Sequence, residues 1–433
     1  MRVILTLALA STAFAALAQV PMPTPAQTKP VLITGATLHV GNGTVVPNAT
    51  VAFDKGRLTY AGPAAGFTQD RAGFDAIEAT GQHLYPGLIV PNTTLGLTEV
   101  ESIRATVDDE EVGTLNPNVR AIVAYNTDSD ILPTVRTNGV LLAQTTPRGA
   151  LLAGQSSVVQ LDAWNWQDAV VRADDGQHLT WPQMVFRLNP SEDATALDRR
   201  QKARETQLRN LEQLFGEASA YRQQPAGRPE NLRLASLAGI FDGSKTLYLH
   251  ADYGKEIIES VRFARRMGVK KVSVVGARDA WMALDFLKQN DVSVVVSRVH
   301  ALPRRDADDY DQPYKLPAQL QAAGIRFCLD YQGDQETSGS RNLAFVAGTA
   351  VAFGLTKEQA LTAVTLSTAQ IMGIDKDYGT LETGKSATLV LSKGDLLDMR
   401  TNAVSRAFID GRGISLESKQ TYLEKKFRSK YGQ

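Results

Sequence analysis

Apolar and polar positions along the 433-residue chain alternate in two textures. Over residues 31–40, 50–53, 57–61 and 75–79 the apolar residues come in short β-branched runs punctuated by Gly and Asn, which predicts strands of a small β unit. From about residue 245 the pattern changes period. Residues 246–250 and 272–275 read as strands, and between them Ile257, Val261 and Ala264 fall on one helical face. Trp281, Leu284 and Leu287 mark the next helix, with strands at 292–296 and 325–329. Repeated strand–helix–strand units imply a parallel sheet covered by helices. Residues 387–391 and 404–409 return to strand texture, and 420–431 form a charged terminal helix.

Two helices show their ends in the sequence. Asn189-Pro190-Ser191-Glu192 supplies a cap, a proline at the first helical position and a glutamate three residues after the cap, with Leu208, Leu211, Phe215 and Ala218 as the apolar stripe and an end near Pro225. Thr356 and Gln359 form a second capping box, Leu361, Val364, Thr368 and Ile371 line one face, and Gly373 is the stop.

Composition narrows the partners. Lys+Arg and Asp+Glu number 46 each, so no excess positive charge draws in nucleic acid or an anionic membrane, and nucleic acid is excluded as an expected partner. The one cysteine, Cys328, closes no intrachain disulfide; set among Phe327, Leu329 and Tyr331, it reads as a buried inert thiol. Arg2, the apolar run 3–18 and the closing Ala16-Leu17-Ala18 read as a cleavable signal peptide, cut before Gln19. The run is shorter than the roughly 20 residues of a membrane span and is followed by Pro21, Pro23 and Pro25. A periplasmic or secreted protein without a membrane anchor is expected.

Short strands before an alternating barrel and more strands after it suggest a β unit split around a (β/α)8 barrel. The seams carry Gly35-Ala36-Thr37-Leu38, Gly56-Arg57-Leu58, Pro86-Gly87-Leu88-Ile89, Gly348-Thr349-Ala350-Val351 and Gly379-Thr380-Leu381-Glu382-Thr383-Gly384-Lys385-Ser386-Ala387. In order and spacing these motifs, over residues 31–415, resemble the amidohydrolase superfamily in its imidazolonepropionase-like branch. The resemblance implies an α/β fold: a TIM barrel over residues 86–384 and a small composite β-sandwich domain from 31–85 and 385–415. A leader (1–18), a linker (19–30) and a helical tail (416–433) complete the chain. It also implies a metal-bound hydroxide at the strand C-termini that hydrolyses amide or other C–N bonds.

The family's ligand positions are depleted here. Its His-x-His pair falls on Asn92 and Thr94, and a later histidine position falls on Gly276. One strand histidine is kept, His250. The last-strand aspartate falls on Asp330, Gln332 or Asp334. Asn and Thr are neutral oxygen donors that hold Zn²⁺ poorly beside imidazole, so no tightly bound cofactor is expected; weak binding of a hard divalent cation near Asp330 and Asp334 stays open.

His250 is read either as a general base at the barrel mouth or as a core histidine, and Asp330 as its acid or ligand partner. His300, in a loop with Arg298, Arg304 and Arg305, is read as part of a carboxylate or phosphate site or of a solvated loop balanced by Asp306, Asp308, Asp309 and Asp311. Arg341, in the loop 335–342, either grips an anionic group of a substrate or only connects. Two functions follow: an exported C–N hydrolase with a rebuilt site acting on a small molecule, or a non-catalytic subunit that pairs with itself or with an active paralogue.

Overall fold

The computed structural model describes residues 22–185, 195–224, 229–333 and 335–432. The proposed leader, the helix start at Asn189 to Glu192, Pro225 and Asp334 lie outside the described residues.

Eight strands make the main sheet, each beside the one before it in the chain: β1 (Leu88–Thr93), β2 (Val140–Thr145), β3 (Leu152–Gln160), β4 (Val170–Thr180), β5 (Thr246–Ala251), β6 (Lys271–Gly276), β7 (Ser293–Val296) and β8 (Phe327–Leu329). β1 pairs with β2, and β4 through β8 pair successively, in parallel. The predicted helix after β5 spans Gly254–Arg266 and buries Ile257, Val261 and Ala264. The fold is the expected α/β barrel with one departure from eight parallel strands: β3 runs antiparallel to β2 and β4. Chain length is the reason. A parallel crossover takes a dozen or more residues, whereas 146–151 and 161–169 leave room only for reversals.

The second sheet draws on both flanks of the barrel. Its order is Arg412–Ile414, Val404–Ile409, Leu389–Ser392, His83–Pro86, Val31–His39, Val45–Asp54 and Arg57–Pro63, with Asp75–Glu78 also paired to Val31–His39. Ile33, Leu38, Val51, Phe53, Leu84, Leu389 and Phe408 form its core, and Phe53 meets Phe408 edge-on at 5.1 Å. Burying such apolar side chains stabilises by about 1.5–3 kcal/mol each.

Between the sheets lies a buried ion cluster. Asp162 accepts from Arg136 Nη1 at 2.5 Å, from Arg412 Nη1 at 3.0 Å and from the Thr24 N–H at 3.0 Å. It therefore ties the segment before the first strand, the barrel and the C-terminal strands to one carboxylate.

The capping box is formed as expected, Thr356 and Gln359 each bonding the other's backbone. The helix it starts is interrupted, however. Lys357–Ala363 and Leu366–Met372 are separate helices, broken where Thr365 leaves helical geometry (φ −133°, ψ −91°), and Gly373 ends the second in the left-handed region. The long helix after residue 195 spans Ala196–Arg222 and buries Leu211, Leu214, Phe215 and Ala218.

Candidate active site at the barrel rim

The C-terminal ends of β1 and β8 meet through side chains. Asn92 sits at φ +46°, a left-handed conformation that Asn tolerates better than most residues, and its N–H donates to Gln144 Oε1 at 3.1 Å. Its side-chain amide donates to Asp330 Oδ2 at 2.8 Å. From the loop after β2, Arg148 donates through Nη1 to Asn92 Oδ1 (2.8 Å) and through Nη2 to the Asn92 carbonyl (2.6 Å). Thr94 donates both its N–H (3.1 Å) and its hydroxyl (3.0 Å) to Glu336 Oε2, which lies 3.7 Å from Arg148 Nη2. Asp330 is 1% exposed, and its Oδ1 has no hydrogen-bond partner. Burial, reinforced by Glu336, pushes its carboxyl up to about 8, against the opposing pull of the Asn92 bond and Arg148.

Gln144 connects this group to a second one. Its Nε2 donates to Asp175 Oδ2 at 2.7 Å, and the same carboxylate accepts from Ser156 (2.7 Å) and the Tyr248 hydroxyl (2.8 Å). Burial raises the Asp175 carboxyl despite these bonds. Tyr248 stacks on His178 with centroids 4.6 Å apart, and His178 Nδ1 lies 2.9 Å from His250 Nε2. Burial, then Arg148, lowers His250 to about 3; burial and His250 hold His178 well below its usual value. Both imidazoles are neutral at neutral pH, so one donates its N–H to the other.

The structure therefore brings Asn92, Thr94, Asp330 and, through Gln144 and Asp175, His250 into one network. The other candidates lie apart from it. Gln332 accepts from Ser297 at 2.8 Å. Gly276 stands at φ +92°, and a Cβ there would come within 2.7 Å of Asp252 Oδ1, so this strand end takes no imidazole without strain. His300 is exposed and shares a 2.8 Å hydrogen bond with Thr349 Oγ1. The arginines of its loop are engaged elsewhere: Arg304 with Asp252 at 3.0 Å, Arg305 with Asp279 and Asp308, and Arg298 over the Tyr331 ring. Arg341 is exposed, and its carbonyl accepts from Asn138. Cys328 is buried, and burial pushes its thiol far up.

Arg148, Glu336, Gln144, Asp175 and His178 are the members that sequence reasoning missed. Arg148 carried a usable signal, three residues beyond the end of the apolar strand β2 and so on the same rim as Asn92. A cleft of about 760 Å³ adjoins the network. Its lining includes Gly149, next to Arg148, and Trp181, whose backbone N–H donates to the His250 carbonyl at 3.0 Å. Among the described residues no group of three or more His, Cys, Asp and Glu side chains converges as a metal cluster.

A polar network at the C-terminal rim of an eight-stranded barrel, flanked by a sheet from both chain ends, defines a barrel protein of the kind that carries its chemistry on strand ends. The model of the Amidohydrolase family matches residues 247–414. An imidazolonepropionase of Flavobacterium psychrophilum is 30% identical over 109 residues, 24% of this chain and 26% of that protein. Adenine deaminase 3 of Rhizobium meliloti is 24% identical over 393 residues, 87% of this chain and 56% of that protein, so the chain spans between a quarter and just over half of these two relatives. The crystal structure of an amidohydrolase from Thermotoga maritima has the same fold, with a TM-score of 0.75 at 20% identity over 89% of this chain and 99% of that one. Residues 247–414 thus carry the sequence pattern of the Amidohydrolase family, and the chain as a whole has the fold of an amidohydrolase.

Proposed function

We propose that the protein is a hydrolase of carbon–nitrogen bonds in small molecules and that it works without a divalent metal. The observation that carries this reading is the Asp330 carboxyl: buried, anchored through Oδ2 by Asn92, free at Oδ1, and held near neutrality in its proton affinity. Asp330 Oδ1 takes a proton from a water that attacks the carbonyl carbon of an amide. The oxyanion that forms is offset by the Arg148 guanidinium. On collapse the C–N bond breaks, and the nitrogen leaves with the proton that Asp330 returns. His250, neutral and hydrogen-bonded to His178, carries no charge in this chemistry.

The donor set does not fit a divalent ion. Asn92 Oδ1 is already bound by a cation, Arg148, and the Thr94 hydroxyl is spent on Glu336. A metal there would face a fixed positive charge. The expected result is that dialysis against a chelator leaves the turnover of a panel of small amides and cyclic amides unchanged, and that added Zn²⁺ does not raise it. Loss of turnover on chelation with recovery on Zn²⁺ would overturn the metal-free reading.

A second reading, a non-catalytic subunit pairing with itself or with a metal-bearing paralogue, draws on the saturation of Asn92 by Arg148 and of Thr94 by Glu336. No turnover across the panel, together with co-sedimentation with such a paralogue, decides for it. Export is part of the proposal and is supported by the charge, apolar block and small-residue ending of residues 1–18. N-terminal sequencing of the protein recovered from outside the cytoplasm is expected to begin at Gln19; Met1 at that terminus would reject it.

A further inference from the structure

The opposite end of the barrel holds a second feature, unrelated to the rim. At the N-terminal ends of β5 to β8 a cavity of about 260 Å³ is lined by Arg172, Lys270, Lys271, Lys288 and Arg326, with Asp291 as the one carboxylate among its lining residues. Such a concentration stands out in a chain whose charges balance 46 to 46. The topology brings it about: Lys271 is the first residue of β6, paired with Thr246 at the start of β5, and Arg326 directly precedes β8, its carbonyl accepting from the Val294 N–H at 3.0 Å.

Part of this charge has a structural use. Helices run back towards this end and expose their last carbonyls there, which attract cations. Arg172 donates to the Met372 carbonyl (2.6 Å), the Gly373 carbonyl (3.0 Å) and the Ser244 carbonyl, and Lys288 donates to the Gly324 carbonyl at 2.5 Å. Just outside, Arg265 closes the carbonyls of Val269, Lys270 and Asn290 in the same way. Lys270, Lys271 and Arg326 have no such use. All three are exposed, line the cavity, and make no ion pair or side-chain hydrogen bond among the described residues. Capping explains two of the five cations and leaves three like charges around one hollow.

We propose that this cavity is a binding site for a phosphate group. A phosphate is a compact anion with several acceptor oxygens; it suits two ammonium groups and a guanidinium converging from neighbouring strand ends. The volume lies just below the about 300–1,000 Å³ of ordinary small-molecule pockets, which points to a free phosphate, a diphosphate or a phosphorylated headgroup and away from a whole nucleotide. Arg172 and Lys288, pinned by their carbonyl partners, give the site a rigid wall. Nothing in the rim chemistry needs this end of the barrel, so the site stands whether or not the hydrolase reading does.

The test uses the full mature chain in three forms: wild type, Lys271→Glu/Arg326→Glu, and Lys426→Glu as a control on the C-terminal helix. Calorimetric titration with inorganic phosphate and with pyrophosphate at about 0.15 M salt, where surface charges are screened beyond about 8 Å, is run beside flotation with phosphatidylglycerol and phosphatidylcholine vesicles. The expected result is binding of pyrophosphate by wild type and control, weakened at least ~10-fold in the double variant, with melting curves that show all three folded. Binding confined to phosphatidylglycerol vesicles and lost in the double variant assigns the same site to a lipid headgroup. Equal binding by double variant and control, or no binding of any probe by the wild type, overturns the proposal.

Discussion

Asp330→Asn is expected to lower kcat/KM for a small amide by about 10²–10⁴-fold, the range contributed by a positioned acid–base group, while the fold is kept. Asparagine retains an oxygen to accept from Asn92 Nδ2, so the β1–β8 junction survives and only the ionisable proton carrier is lost. The pH profile carries the sign. Asp330 acts as the base in its ionised form, and its carboxyl stands at about 8. Wild-type kcat/KM should therefore rise about tenfold per pH unit up to pH about 8 and level off above it, and the residual activity of Asp330→Asn should lack that limb. Stability moves the other way. A carboxyl whose folded value lies above its unfolded value of about 3.9 favours the fold most below pH 4 and loses that contribution as pH rises towards 8. The difference in melting temperature between Asp330→Asn and wild type should thus shift in favour of the variant across pH 4–8. A wild-type profile whose acidic limb survives in the variant removes Asp330 from the mechanism.

The largest effect on stability is expected from Asp162→Ala. Arg136 and Asp162 have side-chain exposures of 2% and 1%, and Asp162 also holds Arg412 and the Thr24 N–H. Truncating the carboxylate leaves the Arg136 guanidinium buried and unpaired, which costs about 3–5 kcal/mol. The midpoint of urea unfolding should fall accordingly. The exposed pair Arg57–Asp377 offers the contrast: solvent screens it, and Asp377→Ala should cost no more than about 1 kcal/mol. Arg136→Met combined with Asp162→Leu should recover most of the loss, since an apolar pair leaves no charge stranded. Equal midpoints for Asp162→Ala and Asp377→Ala would show that the cluster does not join the two sheets.

The sequence was most legible where one face of an element meets apolar neighbours. Val272, Val274 and Val275 in β6 and Ile257, Val261 and Ala264 in the following helix announce themselves by period, and each lies in the core. It was least legible over β2 to β4. Leu152–Gln160 and Val170–Thr180 bury Gln155, Ser156, Ser157, Asp175, Gln177 and His178, polar residues whose presence argues against a buried strand until their partners are known. Those partners come from other strands, so local pattern could not supply them. The one antiparallel strand of the barrel sheet, β3, fell in the same stretch.

The same division holds for the site. Residue identities alone determined that imidazole is absent at positions 92, 94 and 276, that the chain is electrically balanced, and that strands flank an alternating barrel at both ends. Only the tertiary structure decided what Asn92 and Thr94 do instead. It set Arg148, 56 residues after Asn92, and Glu336, 242 residues after Thr94, against them, and it placed Asp330 2.8 Å from the Asn92 amide and Gln332 against Ser297. The physical reason is closure of the barrel. Hydrophobic periodicity is a local property and fixes each strand from its own residues, whereas the proton affinity of a carboxyl depends on burial and on charges that reach it only when the first and last strands of the sheet come together.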